Sequence, residues 1–110
     1  MASALDAALL ALADPIRRRI FEVLFAGATR AAEIATAVGM KRDDLSGHLA
    51  IMESAGLIAR QQSEGGEIVT ADPAPLEIVA KWINTNRELW TMRSQMQSVS
   101  HEPGPGDEGQ

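Results

Sequence analysis

The chain has 110 residues and 45% of them are apolar, which suits one small domain with a single core and excludes a disordered chain. Cysteine is absent, and this excludes disulfides, thiolate metal sites and cysteine nucleophiles. No apolar run is long enough to span a bilayer, and the N-terminal segment has no basic leader and carries Asp6. We therefore expect a cytoplasmic protein that does not contact the membrane.

The net charge of −5 is concentrated at the C-terminal end. Residues 101–110 contain Glu102, Asp107 and Glu108 and no Lys or Arg, so residues 1–100 carry only −2. The last ten residues are rich in Gly, Pro and acids, which predicts a disordered acidic tail after a single folded domain over residues 1–100. An acidic balance argues against a general nucleic-acid binder but leaves room for a local basic face.

Two helices are predicted at the start of the chain. Ser3 and Asp6 have the spacing of a capping box, and Leu5, Leu9 and Leu12 then repeat at helical spacing. Asp14 and Pro15 suit the N-cap and the first position of a second helix, which Gly27 ends. The predicted buried face of this second helix consists of Ile16, Ile20, Val23 and Leu24.

A helix-turn-helix is predicted next. The segment AAEIATAV, with Thr29 as its N-cap, forms a short third helix that Gly39 ends in a tight turn. Its predicted apolar face consists of Ala31, Ile34, Ala35 and Val38. A fourth helix follows, because Leu45, Leu49 and Met52 repeat at helical spacing up to Ala55 and Gly56.

A β-hairpin and a long helix complete the predicted fold. LIARQQ and EIVTAD are short, partly alternating segments on either side of the turn SEGG. A fifth helix is expected from about Leu76 to about Val99. The expected fold class is mainly α with a small β-hairpin, in the winged helix-turn-helix order of helix, helix, helix, helix, hairpin, helix. The first and last helices have more apolar surface than so short a chain needs, which predicts a homodimer formed through them.

Two sequence blocks resemble the ArsR/SmtB family of bacterial winged-helix repressors, and the resemblance extends over about residues 5–96. The blocks are LADPIRRRIFEVL in the second helix, and AEIATAVGMKRDDLSGHL followed by ESAGLIARQQ in the helix-turn-helix and the first strand. The resemblance implies a homodimer that binds palindromic operator DNA, and many members release DNA when a metal or another signal binds.

The chain departs from the family pattern at three places. The metal-binding thiolates of the third helix are missing, because the chain has no cysteine. The reading helix begins with Lys41, Arg42, Asp43 and Asp44, where the family usually has Ser or Thr and uncharged residues, and Gly47 replaces a longer polar residue. The wing, usually rich in Arg, has Arg60 as its only base.

Candidate DNA contacts lie at the N-terminal end of the fourth helix, because a recognition helix enters the major groove by that end. Their side chains can donate to phosphates or base edges. The alternative for Ser46 and His48 is that they face solvent or a neighbouring helix. The candidates are Lys41, Arg42, Ser46, His48 and, from the wing, Arg60.

Three explanations are open for Asp43 and Asp44. They can stabilise the start of a helix whose N-cap position holds Lys41 instead of Ser or Thr. One of them can accept a hydrogen bond from the amine of cytosine. The third explanation is that this surface no longer meets DNA.

The charge balance over residues 39–72 is three bases against six acids, which predicts weak non-specific DNA binding. Arg17, Arg18, Arg19 and Arg30 are the candidates to supply the missing positive charge. Three cations in a first helical turn are unfavourable for the helix dipole, which indicates an anionic neighbour, either an Asp or Glu side chain or phosphate.

Metal binding, if it occurs, must use nitrogen and oxygen ligands. The candidate ligands are His101, Glu102 and His48, and such a set suits nickel first and zinc second. The favoured interpretation, however, is that His101 is a free tail residue. No cofactor is required otherwise.

No arrangement of nucleophile and base, phosphate loop or paired carboxylates indicates an enzyme. The favoured function is a bacterial ArsR-like transcriptional regulator that binds operator DNA as a homodimer, with a metal such as nickel as a candidate signal. The alternative is a winged-helix protein-interaction module that acts through a partner co-regulator and binds little DNA itself.

Overall fold

The computed structural model describes residues 3–100 of the chain, with side chains up to residue 97. Within this range the chain forms five α-helices and one small sheet. The helices are α1 (Ala4–Leu12), α2 (Pro15–Val23), α3 (Ala31–Val38), α4 (Arg42–Ser54) and α5 (Ala74–Ser100). A single 3₁₀ turn, Leu24–Ala26, follows α2. The strands are β1 (Thr29–Arg30), β2 (Ile58–Ser63) and β3 (Gly66–Ala71). The predicted fold class is confirmed.

Capping residues set the starts of the first two helices, as predicted. The Ser3 hydroxyl accepts from the Asp6 N–H at 3.1 Å, and the Asp6 carboxylate accepts from the Ser3 N–H, which completes the capping box. Asp14 accepts from the Ile16 N–H at 2.7 Å, with Pro15 at the first helical position. Gly39 ends α3 in the left-handed conformation, with φ of 71°, which a residue with a Cβ adopts at a cost.

The predicted N-cap of α3 is wrong. Thr29 lies in β1, and its hydroxyl donates to the Gly27 carbonyl at 2.9 Å instead of accepting from the helix. Arg30 occupies the N-cap position without a side-chain cap. The reason is that Thr29 and Arg30 pair antiparallel with Val69 and Ile68, so the hairpin gains a third strand in the order β1-β3-β2.

The contacts of the chain define two compact units that divide between Val79 and Ala80. In the first unit, α2, α3, α4 and the sheet enclose the core, and α1 adds Ala8 and Ala11 to the buried residues. The largest fully buried side chains are Ile20, Ile34, Leu45, Leu49, Met52, Leu57 and Val69. They confirm the helical stripes predicted for α2, α3 and α4. In α1, however, Leu9 is exposed while the alanines are buried.

The second unit contains α5 from Ala80 onward. Its large apolar side chains are exposed in the isolated chain: Trp82, Ile83, Leu89, Trp90, Met92 and Met96. The first turns of α5, with Leu76 and Val79, belong to the first unit and pack there. The predicted acidic tail, residues 101–110, lies outside the described residues. No helix within residues 3–100 is long and apolar enough to cross a membrane.

Candidate nucleic-acid interface

The fourth helix presents one buried and one exposed face. Leu45, Leu49 and Met52 are buried in the core and fix the helix on α2, α3 and the sheet. The opposite face is open to solvent from its first residue. The sequence folds this way because the three apolar positions share one side of a helix of 3.6 residues per turn.

Three of the predicted DNA contacts stand free on this helix. Lys41, Arg42 and Ser46 are exposed, and within residues 3–97 none of their side chains has a hydrogen-bond or ion-pair partner. Lys41 and Arg42 border an open groove between α3 and α4, whose floor includes Ala35, Thr36 and Gly39. Two cations and a hydroxyl at the N-terminal end of a helix form a surface suited to phosphate and base edges.

Asp43 and Asp44 occupy the first turn of α4, as predicted, but they do not cap it by hydrogen bonds. Lys41 is the N-cap residue, in extended conformation and without a side-chain cap. Both carboxylates are exposed, and within residues 3–97 neither accepts a hydrogen bond. Their effect on the helix is therefore limited to the dipole, which contributes roughly 0.3–1 kcal/mol for a charge near the helix end.

His48 is half-buried and contacts α2 instead of standing free. Its Nδ1 lies 3.3 Å from Nη1 of Arg17. Arginine has only donors, so the Nδ1 atom must accept and the proton of a neutral imidazole must lie on Nε2. The contact thus fixes the ring and leaves Nε2–H as the only donor of His48.

Arg17 joins three helices through one guanidinium. Its Nε donates to the Ala11 carbonyl at 2.7 Å and its Nη2 to the Leu10 carbonyl at 3.2 Å, both at the end of α1. Arg18 donates to the Leu12 carbonyl at 2.7 Å. Both arginines thus donate to carbonyls at the C-terminal end of α1, which carries the negative end of the helix dipole. The anionic neighbour predicted for the arginine run is Asp14, 3.8 Å from Arg17. Arg19 is exposed and has no partner in the part of the chain that the structure describes.

The start of α2 adds a carboxylate to this cluster. The Ile16 N–H that donates to Asp14 lowers the pKa of that carboxyl below its usual value, and the Arg17 side chain, 3.8 Å away, lowers it further. Ionised Asp14 therefore both caps α2 and faces the cation that reaches α4.

Arg60, the only base of the wing, is paired within the wing. Its Nη2 donates to Glu67 Oε1 at 3.2 Å, and its Nε donates to Oε2 in a second, shorter bond. The hydrogen bond to Glu67 raises the pKa of Arg60 above its usual value. The prediction that Arg60 contacts DNA is not tested, but the structure places this side chain on a carboxylate.

Arg30 lies against the hairpin turn. Its Nη1 donates to the Gly66 carbonyl at 3.4 Å, and its guanidinium would lie 3.3 Å from a Cβ at Gly65. The turn therefore needs glycine both for its positive φ of 91° and for the room that Arg30 occupies.

The predicted metal ligands are not brought together by the described structure. His48 contacts Arg17, while His101 and Glu102 lie outside the described residues. Within the described part of the chain, no group of three His, Asp or Glu side chains is placed to hold a metal ion.

Comparisons with known proteins agree with this geometry. A family model described as a helix-turn-helix domain matches residues 12–61, from the start of α2 to β2. No curated protein matches the sequence. A crystal structure titled as an ArsR family transcriptional regulator is 26% identical, with a TM-score of 0.75, and the match covers 83% of this chain and 97% of that one.

Two further structures share the fold. An ArsR-like transcriptional regulator from Rhodococcus sp. RHA1 is 21% identical with a TM-score of 0.75, and the match covers 88% of this chain and 92% of that one. A winged helix-turn-helix DNA-binding domain from Mycobacterium bovis, described as homodimeric and as a possible ArsR-family regulator, is 22% identical. Its TM-score is 0.60, and the match covers 92% of this chain and 86% of that one.

The fold and the exposed end of α4 define a winged helix-turn-helix protein. The helix-turn-helix match and the structural neighbours confirm the resemblance inferred from the sequence: the chain is similar to ArsR-family transcriptional regulators.

We predict that Arg17 stabilises the fold and that Arg19 does not. Arg17→Met keeps the length of the side chain but removes the donors to α1 and His48. We expect it to lower the free energy of unfolding by roughly 1–3 kcal/mol in urea titrations at a fixed chain concentration. Arg19→Met, the matched control two residues away, should change it by less than about 0.5 kcal/mol. Equal effects of the two substitutions would contradict the role assigned to Arg17.

Proposed function

We propose that the chain is a transcriptional regulator that binds operator DNA as a homodimer and performs no catalysis, and that it acts in the cytoplasm. The observation that supports it is the exposed, unpartnered set of Lys41, Arg42 and Ser46 at the N-terminal end of the second helix of a helix-turn-helix. In this fold that end of the helix enters the major groove.

Each exposed group then has a distinct role. Lys41 and Arg42 neutralise phosphate, and Arg42 has the fork that reads guanine. Ser46, one turn further along α4, donates to phosphate or a base edge. His48 contributes through Nε2–H only, because Arg17 engages its Nδ1.

The homodimer is proposed from the apolar surface of α1 and of α5. Leu9 and Leu10 of α1 are exposed, and Trp90 and Met96 of α5 are about two-thirds exposed. Aromatic and sulfur-containing side chains are enriched in protein interfaces, and a twofold dimer would present two reading helices to a palindrome. The homodimeric domain from Mycobacterium bovis supports this assembly by analogy.

We predict a dimer in solution that depends on α5. Light scattering should return about twice the chain mass of 11.8 kDa at micromolar concentration. Trp90→Asp places a charge in the proposed interface and should shift the protein toward the monomer, while circular dichroism reports an unchanged helix content. Gln95→Asp, on an exposed polar position of the same helix, is the matched control and should stay dimeric. A wild-type mass of one chain would overturn the assembly.

The alternative is a protein-interaction module that acts through a partner co-regulator. One observation favours it: the wing's only base is paired with Glu67, so residues 39–72 offer DNA just Lys41 and Arg42 as free cations. The third explanation for Asp43 and Asp44, a surface that no longer meets DNA, belongs to this alternative.

We predict that removing the two carboxylates separates these functions. The double variant Asp43→Ser, Asp44→Ala should keep the fold and lose about 1 kcal/mol of stability, because only dipole terms are lost. It should bind every duplex more tightly, since two negative charges per subunit leave the neighbourhood of the phosphates. The measurement is titration of both proteins against the upstream intergenic DNA and a scrambled duplex at two salt concentrations.

The other outcomes of this titration are equally informative. A loss of roughly 1–3 kcal/mol confined to the native DNA would show that a carboxylate reads cytosine. No change on either duplex would favour the co-regulator module. Glu53→Gln, near the end of α4, serves as a control for the general effect of one charge.

The metal response stays a prediction. If nickel binds through His48, His101 and Glu102, calorimetry should detect binding to the wild type and none to the double variant His48→Ala, His101→Ala. His48→Ala alone should weaken it less than the double variant does. Undiminished binding in the double variant would exclude these ligands.

A further inference from the structure

The ion pair between Arg60 and Glu67 lies on one face of the wing. Arg60 is opposite Val69 in the ladder and Gln62 is opposite Glu67, so the two charged residues are diagonal neighbours on adjacent strands. Both side chains point to the side of the hairpin that carries the buried Ile58 and Val69. The pair is thus held on the face of the wing that packs against the protein.

The same face borders the reading helix. A cleft at the edge of the core is lined by Arg60 and Glu67 of the wing and by Arg42, Asp43 and Ser46 of α4. The only base of the wing therefore lies beside the side chains proposed to contact DNA, and the bases of α4 and of the wing border one cleft.

The pair is shielded more than a surface ion pair. The side chain of Arg60 is 20% exposed and that of Glu67 is 10% exposed. Salt screens such a pair less than an exposed one, and two parallel hydrogen bonds hold the guanidinium fork in place. A dissolved anion must replace both bonds to displace the carboxylate.

A carboxylate and a phosphate bind the same donors of an arginine side chain. The planar fork of donors fits either group through two hydrogen bonds, so one arginine serves only one of them at a time. We propose that Glu67 competes with DNA phosphate for Arg60 and thereby lowers the affinity of the wing for DNA of any sequence. Glu67 is a specificity-determining residue of the interface, and this role rests on the proposed function.

The consequence for selectivity follows from the origin of non-specific binding. Non-specific affinity is supplied almost entirely by cations that neutralise phosphates, and the relevant quantity in a cell is the ratio of operator to non-specific affinity. While Arg60 is bound to Glu67, the wing contributes no cation to the binding of a random duplex. Base contacts by α4 then supply a larger share of the total affinity for DNA.

Substitution of Glu67 tests the proposal directly. Glu67→Gln keeps the size of the side chain and an acceptor oxygen but removes the charge that holds Arg60. The probe is a mixed-sequence duplex of about 30 base pairs, or three helical turns. We expect binding to tighten on the order of tenfold at low salt. The plot of log affinity against log salt should steepen by about 0.9 per released arginine, or about 2 per dimer.

Three control variants identify the cause of any gain. Glu64→Gln removes the same charge from the same hairpin without touching Arg60, since Glu64 is exposed and in no ion pair among residues 3–97. It should change affinity much less than Glu67→Gln. Arg60→Gln should leave the mixed-sequence affinity near the wild-type value, and the double variant Arg60→Gln, Glu67→Gln should lose the gain.

The outcomes separate this inference from the proposed function. Wild type that retards the upstream DNA selectively, together with no gain in Glu67→Gln, would overturn the competition alone. A gain in Glu67→Gln without selective retardation by the wild type would overturn the proposed function and leave the competition standing. Weaker binding in both Arg60→Gln and Glu67→Gln would show that the pair only positions the wing. Binding of no duplex by any variant would overturn both proposals.

Discussion

One guanidinium links the first, second and fourth helices, which the buried apolar side chains pack together. Arg17 carries only donors, and in its half-buried place it finds acceptors in two carbonyls of α1 and in the His48 imidazole, while the Asp14 carboxylate lies 3.8 Å away as an ion-pair partner. These groups belong to the end of one helix, the middle of another and the cap of a third. Loss of the cation would remove the Arg17 donors from the Leu10 and Ala11 carbonyls and from the ring of His48. The end of α1 and the orientation of a candidate DNA-contacting side chain therefore depend on the same group.

Contacts of the same kind engage other arginines, so few basic side chains are free on the surface proposed to face DNA. The last carbonyls of α1 take Arg17 and Arg18, the Gly66 carbonyl takes Arg30, and Glu67 takes Arg60. Only Arg60 is paired with a carboxylate in these contacts, while the other three arginines keep their charge but have donors engaged by backbone carbonyls. The proposed recognition of DNA therefore falls on the few free groups at the start of α4.

Local rules were enough for the parts of the fold that depend on neighbours in sequence. Residue spacing predicts the caps of α1 and α2, the glycine that ends α3 and the apolar stripes of α2 to α4, and all of them are confirmed.

Thr29 was misassigned because a strand of two residues has no periodicity, and its pairing with Val69 joins positions forty residues apart. The sequence could not predict the contacts of His48 with Arg17 and of Arg60 with Glu67, because partners distant along the chain leave no local sequence pattern.

Asp43 and Asp44 now have a narrower explanation than the sequence allowed. A capping role would place a carboxylate oxygen on a free N–H of the first turn, and neither side chain accepts such a bond within the described residues. The dipole term that remains is small for exposed groups and is screened by salt, so stability alone is a weak reason for two adjacent acids.

Both acids stand next to Arg42 on the surface proposed to face DNA, and Asp43 also lines the cleft that holds Glu67. The carboxylates of Asp43, Asp44 and Glu67 surround the few available cations. All three would weaken DNA binding, because each repels a nearby phosphate whatever the base sequence. A surface of this composition holds DNA only where base contacts add enough favourable energy to exceed that repulsion.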